Sequence, residues 1–239
     1  MEQSVKSIDP DTYELLTQNQ MFNGFKEGEI PKVFSVLNPL RKCVPKGAVI
    51  ISAGEDAHFM WIICSGIVMA SDFSGDNDQQ ILALHERGEL IGLDGVLSSA
   101  ATSPLTYTAI ADSELLCFDA GLLLSGSLDT VMTNKILLNL NKILAIKCVR
   151  LVDKTGILAT LSLRVRIMTY LRIQMREQDT IKVKVSMDRN QLAQYLCVNR
   201  SALSRELSKM QRDGLISLEP DGIIKVLFPP LPAKRIDRH

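Results

Sequence analysis

The residues from Asp188 to Ile216 are DRNQLAQYLCVNRSALSRELSKMQRDGLI, and they decide how the rest of the chain is interpreted. Asp188 is a good N-cap because its carboxylate can accept hydrogen bonds from the free amides of a first helical turn. A helix of about two turns is predicted behind it, with Leu192, Ala193 and Leu196 on one face. Cys197 to Asn199 allow only a tight turn, and Asn199 is expected to cap a second helix.

The second predicted helix has two different faces. Leu203, Leu207 and Met210 repeat at spacings of four and three, which indicates a buried stripe. The opposite face carries two arginines and three hydroxyl groups, from Arg200, Ser201, Ser204, Arg205 and Ser208. This pattern predicts a helix-turn-helix with its recognition helix second. The alternative is an ordinary helical hairpin with a solvated polar face.

The residues after this stretch favour the first interpretation. Leu215–Leu218 and Ile223–Leu227 are predicted strands, and the Pro-Asp-Gly sequence at 220–222 is typical of the turn between them. Two helices followed by a hairpin make a winged helix-turn-helix domain.

The segment resembles the DNA-binding domain of the CRP/FNR family (cyclic-AMP receptor protein and fumarate–nitrate regulator) of bacterial transcription factors. The specific part is Arg-Ser-x-x-Ser-Arg at 200–205, and the departure is Cys197, where many helix-turn-helix proteins have glycine. The resemblance implies a homodimer on a pseudo-palindromic operator in double-stranded DNA, with RNA polymerase as a further partner. The residues expected at DNA are Arg189, Asn199, Arg200, Ser201, Ser204 and Arg205.

The arginines in this set have different expected roles. Arg205 is expected to contact guanine O6 and N7, whereas Arg200 either reads a base in the same way or binds phosphate. Arg189, on the first helix, is placed to hold a phosphate and set the register. Ser201 and Ser204 are shorter and would touch bases or phosphates nearby.

Upstream, from Lys42 to Asp119, the pattern changes to short apolar runs separated by Gly, Pro, Asp and Ser. Such spacing predicts a small antiparallel barrel or sandwich. The predicted strands are Val44–Ser52, Met60–Ser65, Gly66–Ser71, Gln80–Leu84, Leu90–Gly92, Tyr107–Ala111 and Glu114–Phe118. Ser74–Asp78 is expected to form a hairpin tip. Two short helices are predicted before these strands, one from Pro10 and one over Glu27–Leu37.

The same stretch resembles the family's cyclic-nucleotide-binding β-roll through its turn glycines, such as Gly47, Gly54 and Gly66. The resemblance implies an effector pocket formed by Gly88, Gly92, Leu93, Ser103, Leu151 and Val152. In relatives that bind cyclic AMP, a glutamate and an arginine occupy the positions of Leu93 and Ser103. Leucine accepts no hydrogen bond and serine does not neutralise a phosphate, so we expect no response to cyclic AMP.

The effector and any cofactor are left unknown by the sequence. The pocket could take a more apolar molecule or haem, or it could be empty, and a redox effector is also open. His58 and His85 are the internal histidines, and both are interpreted as ordinary surface or loop residues.

The residues from Ser127 to Lys154 contain no glycine or proline and predict one long helix, capped by Ser127 or Asp129. Its near-heptad apolar seam is assigned to dimerisation and consists of Leu137, Leu140, Leu144 and Leu151. The alternative is that this stripe lies on the β-domain. Thr155-Gly156 is expected to weaken the helix end, and a hinge is placed near Ala159–Ser162, before a helix over Leu163–Glu177.

The fold class is therefore predicted as α+β. An effector-sensing β-roll with N-terminal helices is assigned to residues 1–126, the dimerisation helix and hinge to 127–159, the winged helix-turn-helix to 160–228 and a tail to 229–239.

Charge and composition agree with a two-part chain. The 239 residues have a net charge of zero, but Leu163–His239 contain 15 basic and 8 acidic residues, a balance of +7, which leaves −7 upstream. An acidic module joined to a basic one suits a partner with phosphates. A ligand-binding module whose basic half meets RNA or a protein remains the alternative.

Several other classes are not expected. No apolar run is long enough to span a bilayer, and the N-terminus does not resemble a signal peptide. Five scattered cysteines suggest a reduced, cytoplasmic protein without a zinc or iron–sulfur site. No Ser-His-Asp set, metal-ligand spacing or phosphate loop points to an enzyme.

Overall fold

The computed structural model describes residues 2–4, 8–74 and 78–228. The chain forms two compact units, Met1–Val149 and Arg150–His239, which divide within one helix. Among the described residues, no helix combines the length and apolarity that a bilayer crossing requires.

The described residues of the first unit form nine strands in two sheets. They are β1 (Glu2–Ser4), β2 (Leu40–Val44), β3 (Val49–Ile51), β4 (Phe59–Ser65), β5 (Val68–Ser74), β6 (Asp78–His85), β7 (Leu90–Ile91), β8 (Thr106–Ala109) and β9 (Ser113–Asp119). One sheet has the order β1-β2-β9-β4-β7 and the other β3-β8-β5-β6. The pairing is antiparallel, with Trp61 of β4 opposite Cys117 of β9. The predicted antiparallel barrel or sandwich is thus found.

Strand β4 is buried on both faces. Trp61 and Ile63 point into a core between the two sheets, whereas Met60, Ile62 and Cys64 point into a second core against the helices. Successive side chains of a strand face opposite ways, so a strand covered on both sides is a continuous apolar run rather than an alternating one.

Helices cover one side of the roll. They are α1 (Pro10–Gln18), α2 (Glu29–Leu37), the short α3 (Leu93–Val96) and α4 (Ala120–Leu124), and the long α5 (Thr130–Leu158). Asp9 caps α1 by accepting from the amide of Thr12. The two predicted N-terminal helices are therefore present: α1 begins at Pro10 and α2 ends at Leu37 as predicted, and only the start of α2 is shifted, from Glu27 to Glu29.

The predicted strand Val44–Ser52 is wrong as one element. It is two strands, β2 and β3, because the intervening turn at Gly47 has a φ of 89°, a left-handed conformation that ends a strand and suits glycine. In the β5–β6 hairpin Ser74 pairs with Asp78, and the predicted tip at 75–77 lies outside the described residues.

Helix α5 begins after Asp129, one of its two predicted caps, and ends later than the predicted Lys154. Asp129, rather than Ser127, caps it by accepting from the amide of Met132 at 2.9 Å. The helix then passes through Gly156 to Leu158, so Thr155-Gly156 does not end it.

The predicted dimerisation seam on α5 is corrected in part. Leu140 is only 1% exposed and belongs to the helical core of the roll, against which Leu144 also packs. Leu140 is therefore not available to a partner, and Leu144 is only partly exposed. Leu137 is half-buried and Leu151 is exposed.

The second unit has three helices and one sheet. They are α6 (Leu163–Gln178), α7 (Arg189–Tyr195) and α8 (Arg200–Arg212), with β10 (Lys182–Lys184), β11 (Ile216–Leu218) and β12 (Ile223–Val226) in the order β10-β12-β11. The predicted wing is β11, β12 and the turn between them, and β10 was not predicted. The tail at 229–239 lies outside the described residues.

Candidate functional site

Helix α7 starts with a reciprocal capping box. The Gln191 amide donates to Asp188 Oδ1 at 2.8 Å, and the Asp188 amide donates to Gln191 Oε1 at 2.9 Å. These two bonds satisfy amide groups that a helix start otherwise leaves unpaired. Leu192 and Ala193 then face the core, as the sequence predicted.

The turn between α7 and α8 is closed by a Schellman motif. The Val198 amide donates to the Ala193 carbonyl at 3.0 Å, and the Cys197 amide donates to the Gln194 carbonyl at 3.1 Å. This geometry requires a left-handed residue at the position of Cys197, whose φ is 51°. Glycine is common at this position for that reason, and Cys197 adopts the same conformation.

Helix α8 buries one face and exposes the other. Leu203, Leu207 and Met210 are buried, and the opposite face exposes Arg200, Ser201, Ser204, Arg205 and Ser208. Within the described ranges, neither Arg200 nor Arg205 has an ion-pair partner. The Ser208 hydroxyl donates to the Ser204 carbonyl at 2.9 Å. The exposed face therefore offers free guanidinium groups.

The two other predicted DNA-binding residues flank this face. Arg189 is the first residue of α7 and is half-buried. Asn199 occupies the N-cap position of α8, but its side chain makes no capping hydrogen bond. The predicted N-cap position of Asn199 is therefore confirmed, but its side chain does not cap the helix, and its carboxamide is exposed.

Sequence reasoning missed two cations on α8. Lys209 and Arg212 are exposed and line a groove together with Ser204, Arg205 and Ser208. Their spacing could have predicted that they share the face of Arg205, since residues 205, 209 and 212 fall on one side of a helix. They extend the positive surface by another turn of α8.

The predicted effector residues of the roll are enclosed. Leu93 is fully buried in the helical core, and the buried Ser103 donates its hydroxyl to the Leu105 carbonyl at 2.7 Å. Gly92 has a φ of 81°, and a Cβ there would lie 2.8 Å from the Phe59 carbonyl. Gly88 donates its amide to the Ile63 carbonyl. Leu151 and Val152 are exposed on α5 and belong to the second unit.

A polar cluster beside Leu93 was not predicted. Tyr107 Oη donates to Asp94 Oδ1 at 2.8 Å, and Lys147 Nζ lies 3.8 Å from the same oxygen. Asp94 Oδ2 is buried and has no hydrogen-bond partner among the residues that the structure describes. Burial, followed by the charge of Asp94, raises the pKa of Tyr107, so the phenol stays protonated and remains a donor.

In the described part of the chain, no group of three or more His, Cys, Asp or Glu side chains is arranged to hold a metal ion. Cys64 and Cys117 are buried, while Cys43, Cys148 and Cys197 are exposed. Burial raises the pKa of the Cys64 thiol to about 11, which keeps it protonated.

Comparison with known families covers both units. Residues 41–125 match the model described as "Cyclic nucleotide-binding domain", and residues 165–229 match "Crp-like helix-turn-helix domain". Among curated relatives, Electron transport regulator A of Shewanella oneidensis is 24% identical over 194 residues, which are 78% of this chain and 74% of that protein. The Fumarate and nitrate reduction regulatory protein of Escherichia coli is 21% identical over 187 residues, 75% of this chain and 72% of that protein.

Solved structures share the fold. The c-di-GMP responsive global regulator CLP of Xanthomonas campestris has a TM-score of 0.69 at 20% identity and covers 85% of this chain and 100% of its own. FixK2 of Bradyrhizobium japonicum has a TM-score of 0.66 at 20% identity, and the match covers 80% of this chain and 93% of that one. With a cyclic-nucleotide-binding-type roll followed by a Crp-like helix-turn-helix, this chain belongs to the CRP/FNR family of DNA-binding transcription regulators.

Proposed function

We propose that this regulator binds, as a homodimer, a pseudo-palindromic operator, and that it responds to an effector other than cyclic AMP. The observation that carries the proposal is the exposed face of α8, where Arg200 and Arg205 have no ion-pair partner among the described residues while the opposite face anchors the helix in the core. A helix held in this way can enter the major groove with its arginines directed at base edges. Arg189 and Asn199 would position it on the phosphates.

The dimer is proposed to form along the exposed side of α5. Val131, Leu138, Ala145 and Val152 recur every seven residues, and all four are exposed. Val131 is 65% exposed and Leu138 is 62% exposed. A seven-residue apolar repeat is the pattern of a two-stranded coiled coil. This face therefore replaces the seam first assigned around Leu140.

The proposed insensitivity to cyclic AMP rests on two side chains. Leu93 offers no acceptor for a ribose hydroxyl and is buried, and the Ser103 hydroxyl is occupied by a backbone carbonyl. Asp94, whose Oδ2 has no hydrogen-bond partner in the described part of the chain, is a polar group of this region that an effector with a hydrogen-bond donor would contact.

Selection from a randomised pool of DNA duplexes tests the proposal. The protein should enrich one sequence, called here the selected duplex, with two symmetric half-sites whose centres are about one helical turn apart. Sedimentation of the complex should give two protein chains per duplex. Enrichment from a parallel RNA pool, with none from DNA, would favour the alternative of an RNA-binding module.

A further inference from the structure

The last turns of α5 are built into the second unit. Arg176 Nη2 on α6 lies 2.6 Å from Asp153 Oδ2, and Arg150 Nε lies 3.9 Å from Glu177 Oε1. Ile157 is buried in the core that also holds α7 and α8. The end of α5 therefore packs along α6 as part of the same body.

Arg166, on α6, joins the end of α5 to the end of α7. Its Nη2 donates to the Thr160 carbonyl at 2.8 Å and to the Leu158 carbonyl at 3.5 Å, and its Nη1 donates to the Leu196 carbonyl at 2.8 Å. A weaker contact of 3.5 Å reaches the Cys197 carbonyl. The last carbonyls of a helix lack helical partners and carry partial negative charge, so one planar guanidinium suits both helix ends.

Lys154, on α5, holds the same end of α7 from the other side. Its Nζ donates to the Tyr195 carbonyl and lies 3.3 Å from the centre of the Tyr195 ring. Lys154 is only 4% exposed. Tyr195 is the last residue of α7, two positions before the left-handed Cys197.

The linker at 159–162 is held in place by these contacts. Arg166 ties it to α7, because its Nη2 binds the carbonyls of Leu158, just before the linker, and of Thr160, within it, while its Nη1 binds the carbonyl of Leu196. Bending at the linker would break these bonds. A free hinge at Ala159–Ser162, as the sequence suggested, does not fit this arrangement.

We propose that Arg166 and Lys154 are positioning residues that fix the turn before α8 to the last turns of α5, so that α5 itself sets the orientation of the recognition helix. The proposal rests on the proposed recognition of DNA by α8. Neither residue is required to touch DNA. A rotation of the end of α5 would then be passed to α8 through the carbonyl groups at the end of α7.

The test compares Arg166→Gln, Arg166→Lys and Lys154→Met with the full-length wild-type protein. Binding of the selected duplex should weaken about tenfold for Arg166→Gln, as expected from the loss of charge-assisted hydrogen bonds. Arg166→Lys should lose less affinity than Arg166→Gln but should not reach the wild-type value, since an ammonium group lacks the two Nη atoms that bind separate carbonyls. The slope of log affinity against log salt should stay unchanged, because no phosphate contact is removed.

Hydrogen exchange on the free protein provides a readout that needs no DNA. The amides of Cys197 and Val198 should exchange faster in Arg166→Gln and Lys154→Met than in the wild type. Arg176→Gln is the matched control, because it removes an exposed α5–α6 ion pair without touching α7; it should leave affinity and exchange near wild type.

Each outcome decides between the two proposals. Wild-type affinity and exchange in Arg166→Gln would overturn the positioning role, and so would a reduced salt slope, which marks a phosphate contact. If the wild type selects no duplex, the proposed DNA function fails, while the exchange result still supports or overturns the coupling of α5 to the turn. Arg166→Lys serves in place of Arg166→Gln if the latter does not fold.

Discussion

Arg164 on α6 forms an ion pair with Glu206 on α8, with 2.6 Å between Nε and Oε1. Glu206 is the single acidic residue in the sequence of α8, and Arg164 also pairs with Asp213 just beyond it, at 2.7 Å. The hydrogen bond from Glu206 is the largest of the effects that raise the pKa of the Arg164 guanidinium. The carboxylates near the groove are thus neutralised, and the cations of α8 remain available.

Arg205→Ala should weaken binding of the selected duplex far more than binding of random DNA. Loss of a bidentate contact to guanine removes about 1–3 kcal/mol of discrimination. Fluorescence anisotropy with both duplexes measures the difference. Ser208→Ala is the control, because the Ser208 hydroxyl is already bonded to the helix backbone. Equal losses on both duplexes would refute a base-reading role for Arg205.

Lys209→Gln and Arg212→Gln should weaken binding to all duplexes by a similar factor. Their side chains line the same groove as Arg205 but come from the later turns of α8, where phosphate contacts are expected. Each lost phosphate contact lowers the salt slope by about 0.9, which a titration from low to moderate salt measures. A loss confined to the selected duplex would instead assign them to base reading.

Leu138→Lys should convert the dimer to monomer. A lysine at an exposed heptad position would place two charges against each other in a parallel pair. Sedimentation velocity measures the change, and thermal unfolding of the roll should stay the same because Leu138 is not part of its core.

Two variants control the dimerisation experiment. Ile146→Lys also adds a charge at an exposed position, but off the seven-residue repeat, and should leave the dimer intact. Leu140→Ala should destabilise the protein by about 2–5 kcal/mol through a core cavity. A dimer that survives Leu138→Lys would contradict the proposal that the exposed seven-residue repeat of α5, which includes Leu138, forms the dimer contact.

Stability should increase with pH above neutrality because of Lys154. Burial is the main cause that lowers the pKa of Lys154 to about 7. Cys197 acts in the opposite direction, and the charge of Arg166 lowers the pKa further. The pKa of lysine in the unfolded chain is about 10.4. Between the folded and the unfolded pKa, the unfolded chain therefore holds a proton on Lys154 that the folded chain lacks. The contribution of Lys154 to the free energy of unfolding therefore rises with pH across that window, and the raised pKa of Cys64 offsets part of this rise above about pH 8.5.

Urea unfolding of the full chain at pH 7 and pH 9 measures this dependence. Lys154→Met should remove most of the rise, whereas Lys184→Met, at an exposed position on β10, should keep it. An unchanged pH dependence in Lys154→Met would show that other groups are responsible.

Cyclic AMP should release or absorb no heat in a calorimetric titration at saturating concentration. Leu93 and the occupied Ser103 hydroxyl leave the ribose and the cyclic phosphate without the partners they need. A relative that binds cyclic AMP serves as positive control. Tight binding would overturn the interpretation of both positions.

The helix-turn-helix was predictable because its signals are local. Asp188, the small Ala193 and the apolar spacing of α8 each specify a structure within a few residues, and the structure agrees with them. Strand β10 has a local signal too, since Ile181 to Val185 alternates between apolar residues and lysines. Its short length, three residues, made the signal easy to miss.

The face of α5 that covers the roll was not predictable from the same kind of pattern. Both sides of the helix carry apolar residues, and polar residues lie on the buried side. Asn139 is buried because its amide donates to the carbonyls of Met21 and Asn23. Lys135 likewise pairs with Glu29. Apolar residues such as Ile136 and Leu140, together with these long-range polar partners, decide which side of α5 faces inward.

The double burial of β4 affects how the nascent chain must fold. Phe59–Cys64 is an uncharged, strand-forming segment of the kind that aggregates when exposed. The side chains that cover its outer face come partly from α1 and α2 and partly from α5, which leaves the ribosome long after β4. A fragment that ends before Thr130 would therefore expose an apolar surface that promotes aggregation. An isolated sensor domain intended for ligand screening has to include the long helix.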